Sequence, residues 1–159
     1  LFQGRFKLNF QLWRGAHAMP ESVDPRRLKL TNDEGTEGVL LGFHCLECDT
    51  VIFGPETFCQ RCTSVKLESK ELSRTGILYS YTIVRIPPAG WPGPVPYILG
   101  QVELPDGPQV LAELVDCQEE DLEIDMPVQL TLRLVEGEGP NTAKVVYKWR
   151  PAGSEATMA

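Results

Sequence analysis

Apolar residues along this chain fall in short runs or in alternation with polar ones, the spacing of β-strands rather than of helices. Val39-Leu40-Leu41-Gly42-Phe43 and Val51-Ile52-Phe53 are short apolar runs, and Val128, Leu130, Leu132 and Leu134 alternate with polar neighbours. Lys66 to Leu72 leads into the longest strand-like stretch, Gly76 to Ile86, which is rich in β-branched and aromatic residues. Tyr97 to Leu104 and Gln109 to Val115 flank the turn Pro105-Asp106-Gly107-Pro108 and predict a hairpin, and Lys144 to Trp149 predicts a last strand. A short helical turn is predicted only at Glu119 to Leu122. Five strands, the first long and bent, with one small helical insertion, predict a barrel of the OB type.

Between the first two barrel strands runs Pro87-Pro88-Ala89-Gly90-Trp91-Pro92-Gly93-Pro94-Val95-Pro96. Proline fixes φ and lacks the amide donor, so this is neither helix nor interior strand. Residues 19 to 38 are polar, with Pro20, Pro25, the bases Arg26, Arg27 and Lys29 and the acids Asp33 and Glu34, and predict an extended arm.

The strongest chemical signal is a pair of CxxC motifs, Cys45/Cys48 and Cys59/Cys62, ten residues apart. Each motif turns two sulfurs toward one point, and two facing knuckles close a tetrahedron about a metal at about 2.3 Å per sulfur. Such a site has no open position for water or substrate, so it holds structure rather than doing chemistry. The strand runs around it predict a rubredoxin-like zinc ribbon, with iron as the alternative to zinc. Rubredoxin knuckles commonly end in glycine, whereas Asp49 and Thr63 stand there in this chain. A disulfide framework fits less well, because Cys117 leaves the cysteine count odd and neither a signal peptide nor an apolar span is read in the sequence. The chain is expected to be cytoplasmic.

Leu1-Phe2-Gln3-Gly4 matches a 3C-type protease site, so residues 1–18 read as an expression tag and Met19 as the native start; a native amphipathic segment is the alternative. The mainly β fold is thus expected to comprise the arm (19–38), the ribbon (39–65), the barrel (66–152) and a mobile tail (153–159). Residues 1–18 hold Arg5, Lys7 and Arg14 and no acid, so the remainder has 12 basic residues against 22 acidic, a net of −10. That balance argues against nucleic acid and against an anionic membrane surface as partners. Zinc ribbons and OB barrels do bind single strands in other settings, so a nucleic-acid module is the competing class.

Signals of an independent enzyme are weak. Beyond residue 18 the one histidine is His44, beside a knuckle, and no nucleophile elbow, metalloprotease helix or phosphate loop is present. Cys117 is expected to be a partly buried structural thiol. The stiffened loop is a better candidate for function: Trp91 and Tyr97 either meet a partner or cap the barrel core, with Arg85, Lys148 and Arg150 as anion contacts.

The order of parts then becomes specific. The four-cysteine ribbon, Gly76-Ile77-Leu78-Tyr79-Ser80-Tyr81-Thr82, Pro96-Tyr97, Val102-Glu103-Leu104-Pro105-Asp106-Gly107-Pro108, Met126-Pro127-Val128 and Trp149-Arg150-Pro151-Ala152 resemble the zinc-ribbon and OB-fold proteins that accompany thiolases. The resemblance covers about Phe43 to Ala152. Asp125 departs from the family's usual glycine, and the arm lacks the usual short helical pair. The resemblance implies a non-catalytic subunit that pairs with a thiolase-fold catalytic subunit and helps shape the channel for coenzyme A or an acyl-CoA. The implied chemistry is ketoacyl-CoA thiolysis, hydroxymethylglutaryl-CoA synthesis or aldol cleavage, the first including benzoylsuccinyl-CoA cleavage in anaerobic toluene breakdown.

Overall fold

A computed structural model describes residues 19–91, 93–136 and 142–153, and among these the chain forms ten strands and one 3-10 turn. The expected tag (1–18) and all but the first residue of the expected tail lie outside the described residues. The strands are β1 (Glu21–Ser22), β2 (Leu28–Leu30), β3 (Gly38–Cys45), β4 (Val51–Phe53), β5 (Leu67–Glu71), β6 (Thr75–Val84), β7 (Tyr97–Glu103), β8 (Gln109–Leu114), β9 (Pro127–Glu136) and β10 (Ala143–Pro151).

The five strands β6 to β10 close a barrel in the order β6-β7-β8-β10-β9 and back to β6. All neighbours are antiparallel except β8 and β10, which run parallel and meet at a single bridge, Trp149 to Leu114. This is the OB architecture, and the 3-10 turn Glu119–Asp121 sits between β8 and β9. β6 can serve two partners because it bends at a bulge between Leu78 and Ser80: its start pairs β9, its end β7. Inward positions fill the barrel with Leu78, Val102, Val110, Leu114, Val128, Leu130 and Val145 around a fully buried Trp149, whose Nε1 donates to the Val110 carbonyl at 3.3 Å.

The N-terminal sheet is built on β3, which pairs β2, β4 and β5. The observed ribbon therefore runs beyond the expected boundary at residue 65. Lys66 to Leu72 leads into the barrel in the sequence pattern, yet β5 is bonded to β3 from Leu41↔Glu71 to Cys45↔Leu67. The arm is not one extended stretch: two short strands alternate with turns at 25–27 and 33–34, and it is built into both modules. β1 adds in parallel to β10 and β2 adds to β3, so Leu28 is fully buried. Leu28, Leu40 and Leu72 join the barrel residues in one continuous core, and Phe53 of β4 meets Tyr147 of β10 edge to face at 5.9 Å. The β7–β8 turn locks the junction: the Asp106 carboxylate accepts from the Ser73 amide at 2.7 Å and pairs with Lys70 at 3.5 Å.

Candidate metal centre and adjoining cleft

Each CxxC motif forms a knuckle, and the two knuckles have the same hydrogen-bond pattern. In the first, Cys45 N donates to Thr50 O (2.9 Å) and Asp49 N to Cys45 O (2.9 Å); in the second, Cys59 N donates to Ser64 O and Thr63 N to Cys59 O, both at 2.8 Å. Closing the turn requires a left-handed residue after the second cysteine, and Asp49 (φ 63°) and Thr63 (φ 62°) adopt it. The knuckle geometry that glycine usually serves is present without the glycines. Aspartate tolerates that region, whereas a β-branched threonine is strained there. Replacing Thr63 with glycine is therefore expected to stabilise the ribbon by about 0.5–1 kcal/mol, the relief of left-handed strain exceeding the entropy glycine adds to the unfolded chain. Denaturant titration of the metal-loaded protein checks this, and a loss of stability would show that the hydroxyl bond from Thr63 to the Cys62 carbonyl (2.6 Å) matters more.

The four cysteine ligand atoms lie within 4.8 Å of one another, with Sγ···Sγ separations of 3.6 Å (Cys45–Cys62) and 3.5 Å (Cys48–Cys59). Four sulfurs at zinc–thiolate distance form a tetrahedron with edges of about 3.8 Å, so the set fits a metal of that size. Cys45 and Cys59 are fully buried. The electrostatics also suit a cation. The Thr50 hydroxyl and amide bring the Cys48 thiol down to about 6. Burial pushes the Cys45 thiol up, but the Cys48 and Glu47 amides outweigh it and leave it below its usual value. The Ser64 amide draws Cys62 down, yet Cys48, burial, Cys45 and Cys59 together push it up to about 12. Ionising the whole set needs a positive charge at its centre.

His44 is held beside the first knuckle, its Nδ1 2.9 Å from Glu68 Oε1 and its Nε2 2.5 Å from Asp49 Oδ1. The Glu68 and then the Asp49 hydrogen bonds raise its pKa. Cys117 packs against the core, and burial, then Asp121 and Asp116, push its thiol up to about 11, so it stays protonated at neutral pH and makes a poor nucleophile.

The loop residues are drawn together. Trp91 stacks on Tyr97 with ring centroids 4.2 Å apart and planes 17° from parallel, and its Nε1 donates to the Pro94 carbonyl at 3.3 Å. Tyr97 is buried and Trp91 half-buried, so Tyr97 backs one face of the indole. The indole borders a cleft of about 890 Å³ whose walls include Val23, Trp91, Pro94, Leu111, Leu134 and Lys148. Lys148 is ion-paired there with Glu113. Arg85 and Arg150 are not part of the lining. Arg85 pairs with Glu119 at 3.1 Å, and Arg150 Nε and Nη2 face the Gln129 side-chain amide, whose oxygen, with the amide turned, accepts from them at 2.8 and 2.9 Å. Sequence reasoning passed over Leu111 and Glu113. The available signal was the outward set of β8, in which Leu111 is an apolar residue between Gln109 and Glu113.

Comparisons with known proteins match this architecture. The family model described as "ChsH2, C-terminal OB-fold domain" matches residues 69–133. A "DUF35 domain-containing scaffold protein" of Methanocaldococcus jannaschii is 31% identical over 114 residues, 70% of this chain and 81% of the relative. The chain belongs to the DUF35 family. Similar over more of the chain is "Benzoylsuccinyl-CoA thiolase subunit BbsA" of Geobacter metallireducens, 31% identical over 126 residues, covering 79% of this chain and 83% of that protein. Among solved structures, "Ltp2-ChsH2(DUF35) aldolase" aligns with a TM-score of 0.57 and 31% identity over 72% of this chain and 85% of that one. This DUF35 chain thus shares its family with scaffold proteins and is similar to a named subunit of a larger enzyme.

Proposed function

We propose that this chain is the non-catalytic accessory subunit of a thiolase-type acyl-CoA enzyme, with zinc in its four-cysteine site. Its catalytic partner has the thiolase fold, and the reaction is ketoacyl-CoA thiolysis of the kind named for benzoylsuccinyl-CoA. The observation that carries this reading is the likeness to the thiolase subunit BbsA over 79% of the chain. Three features of the molecule support it. The cysteine set is closed and so suits a structural ion. His44 has both ring nitrogens engaged by acids, and Cys117 is held protonated, which leaves neither as a free general base or nucleophile. Trp91 presents one face to a cleft large enough for an extended ligand or chain, with Lys148 on its wall.

In this reading Trp91, backed by Tyr97, and Lys148 border the path of the coenzyme A arm at the subunit junction. Trp91→Ala is expected to raise KM for the acyl-CoA substrate about tenfold in the assembled enzyme while leaving kcat within about twofold, because a stacked aromatic contributes about 1.4 kcal/mol to a bound ligand. Steady-state kinetics on the reconstituted enzyme checks this, and unchanged KM with unchanged assembly would remove the loop from the site.

Purification from the native cell with mass spectrometry and metal analysis tests the whole reading. A thiolase-fold protein in stoichiometric amount with one zinc per chain is the expected result. Recovery of nucleic acid would favour the competing class, against which the surface already argues: among the described residues nine of the lysines and arginines are paired with carboxylates.

A further inference from the structure

The barrel is closed by four full ladders and one nearly absent one. β8 and β10 share a single bridge, Trp149 to Leu114, with Val115 N donating to Trp149 O at 2.8 Å. Farther back along β10, Val23 N donates to Val145 O at 2.9 Å, where the β1 segment has added in parallel to the same edge. Backbone groups of a strand alternate sides every residue. With Val145 and Trp149 facing this side, Tyr147 between them faces it too. The same alternation, counted back from Val115, turns the amides and carbonyls of Glu113 and Leu111 toward the seam, away from β7. The cleft bordered by Trp91 lies over this seam, with Leu111, Ala112 and Glu113 on one wall and Val146, Tyr147 and Lys148 on the other.

Natural sheets protect exposed edges with charge, proline or shortness. The outer edge of β4 has only three residues, and β5 reads Leu-Glu-Ser-Lys-Glu. β8 has none of these devices. Its six residues contain no proline, Leu111 is 59% exposed, and its one charge, Glu113, is neutralised by Lys148. An unguarded edge with apolar walls, next to a place where an extended segment has already added, calls for another extended backbone.

We propose that the β8–β10 seam is a strand acceptor: an extended segment of the catalytic partner subunit adds to the edge at Leu111, Glu113 and Tyr147, its apolar side chains resting on Trp91, Leu111 and Leu134. This rests on the accessory-subunit reading and names where and how the partner docks. Backbone pairing supplies affinity and the cleft supplies side-chain selection.

The test is amide hydrogen exchange, followed by mass spectrometry with fragmentation, on the chain alone, the chain with coenzyme A, and the complex with its catalytic partner. Exchange at Leu111, Glu113 and Tyr147 should slow at least tenfold in the complex and stay fast in the other two samples. Leu111→Pro removes a seam-facing amide that makes no bond to β7, so the barrel should keep its circular dichroism while the partner binds about tenfold more weakly, as expected for the loss of one or two backbone bonds. If that variant fails to fold, the exchange data on the unaltered chain still decide. Protection confined to other surfaces of a stable complex would overturn strand addition and leave the accessory role standing. Protection by coenzyme A alone would assign the seam to a small amide-bearing ligand and overturn the proposal. Failure of any thiolase-fold partner to bind would overturn the accessory role itself.

Discussion

Cys59→Ala is expected to empty the metal site and unfold the ribbon, the largest effect of any single substitution in this chain. Cys59 is fully buried, its sulfur lies 3.5 Å from that of Cys48, and among the described residues the ligand cluster consists of the four cysteines alone. Structural zinc contributes about 10–16 kcal/mol in small zinc modules, as much as the whole stability of an ordinary domain. The ribbon has little to replace it: its own apolar residues at the knuckles, Leu46, Phe58 and Val65, are exposed rather than packed. The damage should also spread, because Leu28, Leu40 and Leu72 of the ribbon side belong to the same core as the barrel. Metal content should fall well below one ion per chain, and limited proteolysis should cut first between residues 45 and 66. Cys117→Ala, whose thiol lies outside the four-cysteine cluster, should leave both unchanged. Full metal content with unaltered protease resistance in the Cys59 variant would refute a structural metal.

Much of this architecture is legible in the sequence because its signals are local. The two CxxC spacings dictate two knuckles, and the knuckles bring four sulfurs together whatever surrounds them. The barrel strands are marked by local signals too: alternation in Val128 to Leu134, β-branched and aromatic residues in Gly76 to Ile86, and the turn Pro105 to Pro108 between two apolar runs. What escaped depends on partners distant in the chain. β1 has two residues and β2 three, too few to show a period, and β1 is fixed by β10, its Glu21 pairing with Lys144 across 123 positions. Leu67–Glu71 is polar enough to pass for a linker, yet the bonds it makes to β3 are backbone bonds, which carry no side-chain signature. The missing glycines at Asp49, Thr63 and Asp125 mislead in a different way. All three residues have positive φ, so the turn survives where the residue that usually marks it does not. Of the five residues read as partner or coenzyme contacts, the structure lines one cleft with Trp91 and Lys148, buries Tyr97 behind Trp91, and ties Arg85 and Arg150 to partners elsewhere. Charge identifies a candidate, but which acid or amide will answer it is settled only by the sheet register.

Trp149→Ala is expected to cost the barrel about 3–5 kcal/mol, the range for removing a large aromatic from a packed core. The position is unusual in carrying three roles at once. Its indole is fully buried at the centre of the core, its Nε1 satisfies the Val110 carbonyl, and its backbone forms the one bridge that holds β10 to β8. Truncation leaves a cavity beneath that bridge and removes the indole bond to the Val110 carbonyl, so the seam should open before the other four ladders, each of which has three or more paired positions. A loss of this size should lower Tm by roughly 10–15 °C in a domain of this length. Trp149→Phe separates the terms: it keeps most of the volume and loses the indole donor, so its cost should be about 1–2 kcal/mol. Thermal unfolding followed by near-ultraviolet circular dichroism measures both variants. If alanine costs less than about 1 kcal/mol, the core closes around the gap and the bridge does not depend on the indole. If phenylalanine costs as much as alanine, the bond to Val110 rather than packing holds this corner of the barrel together.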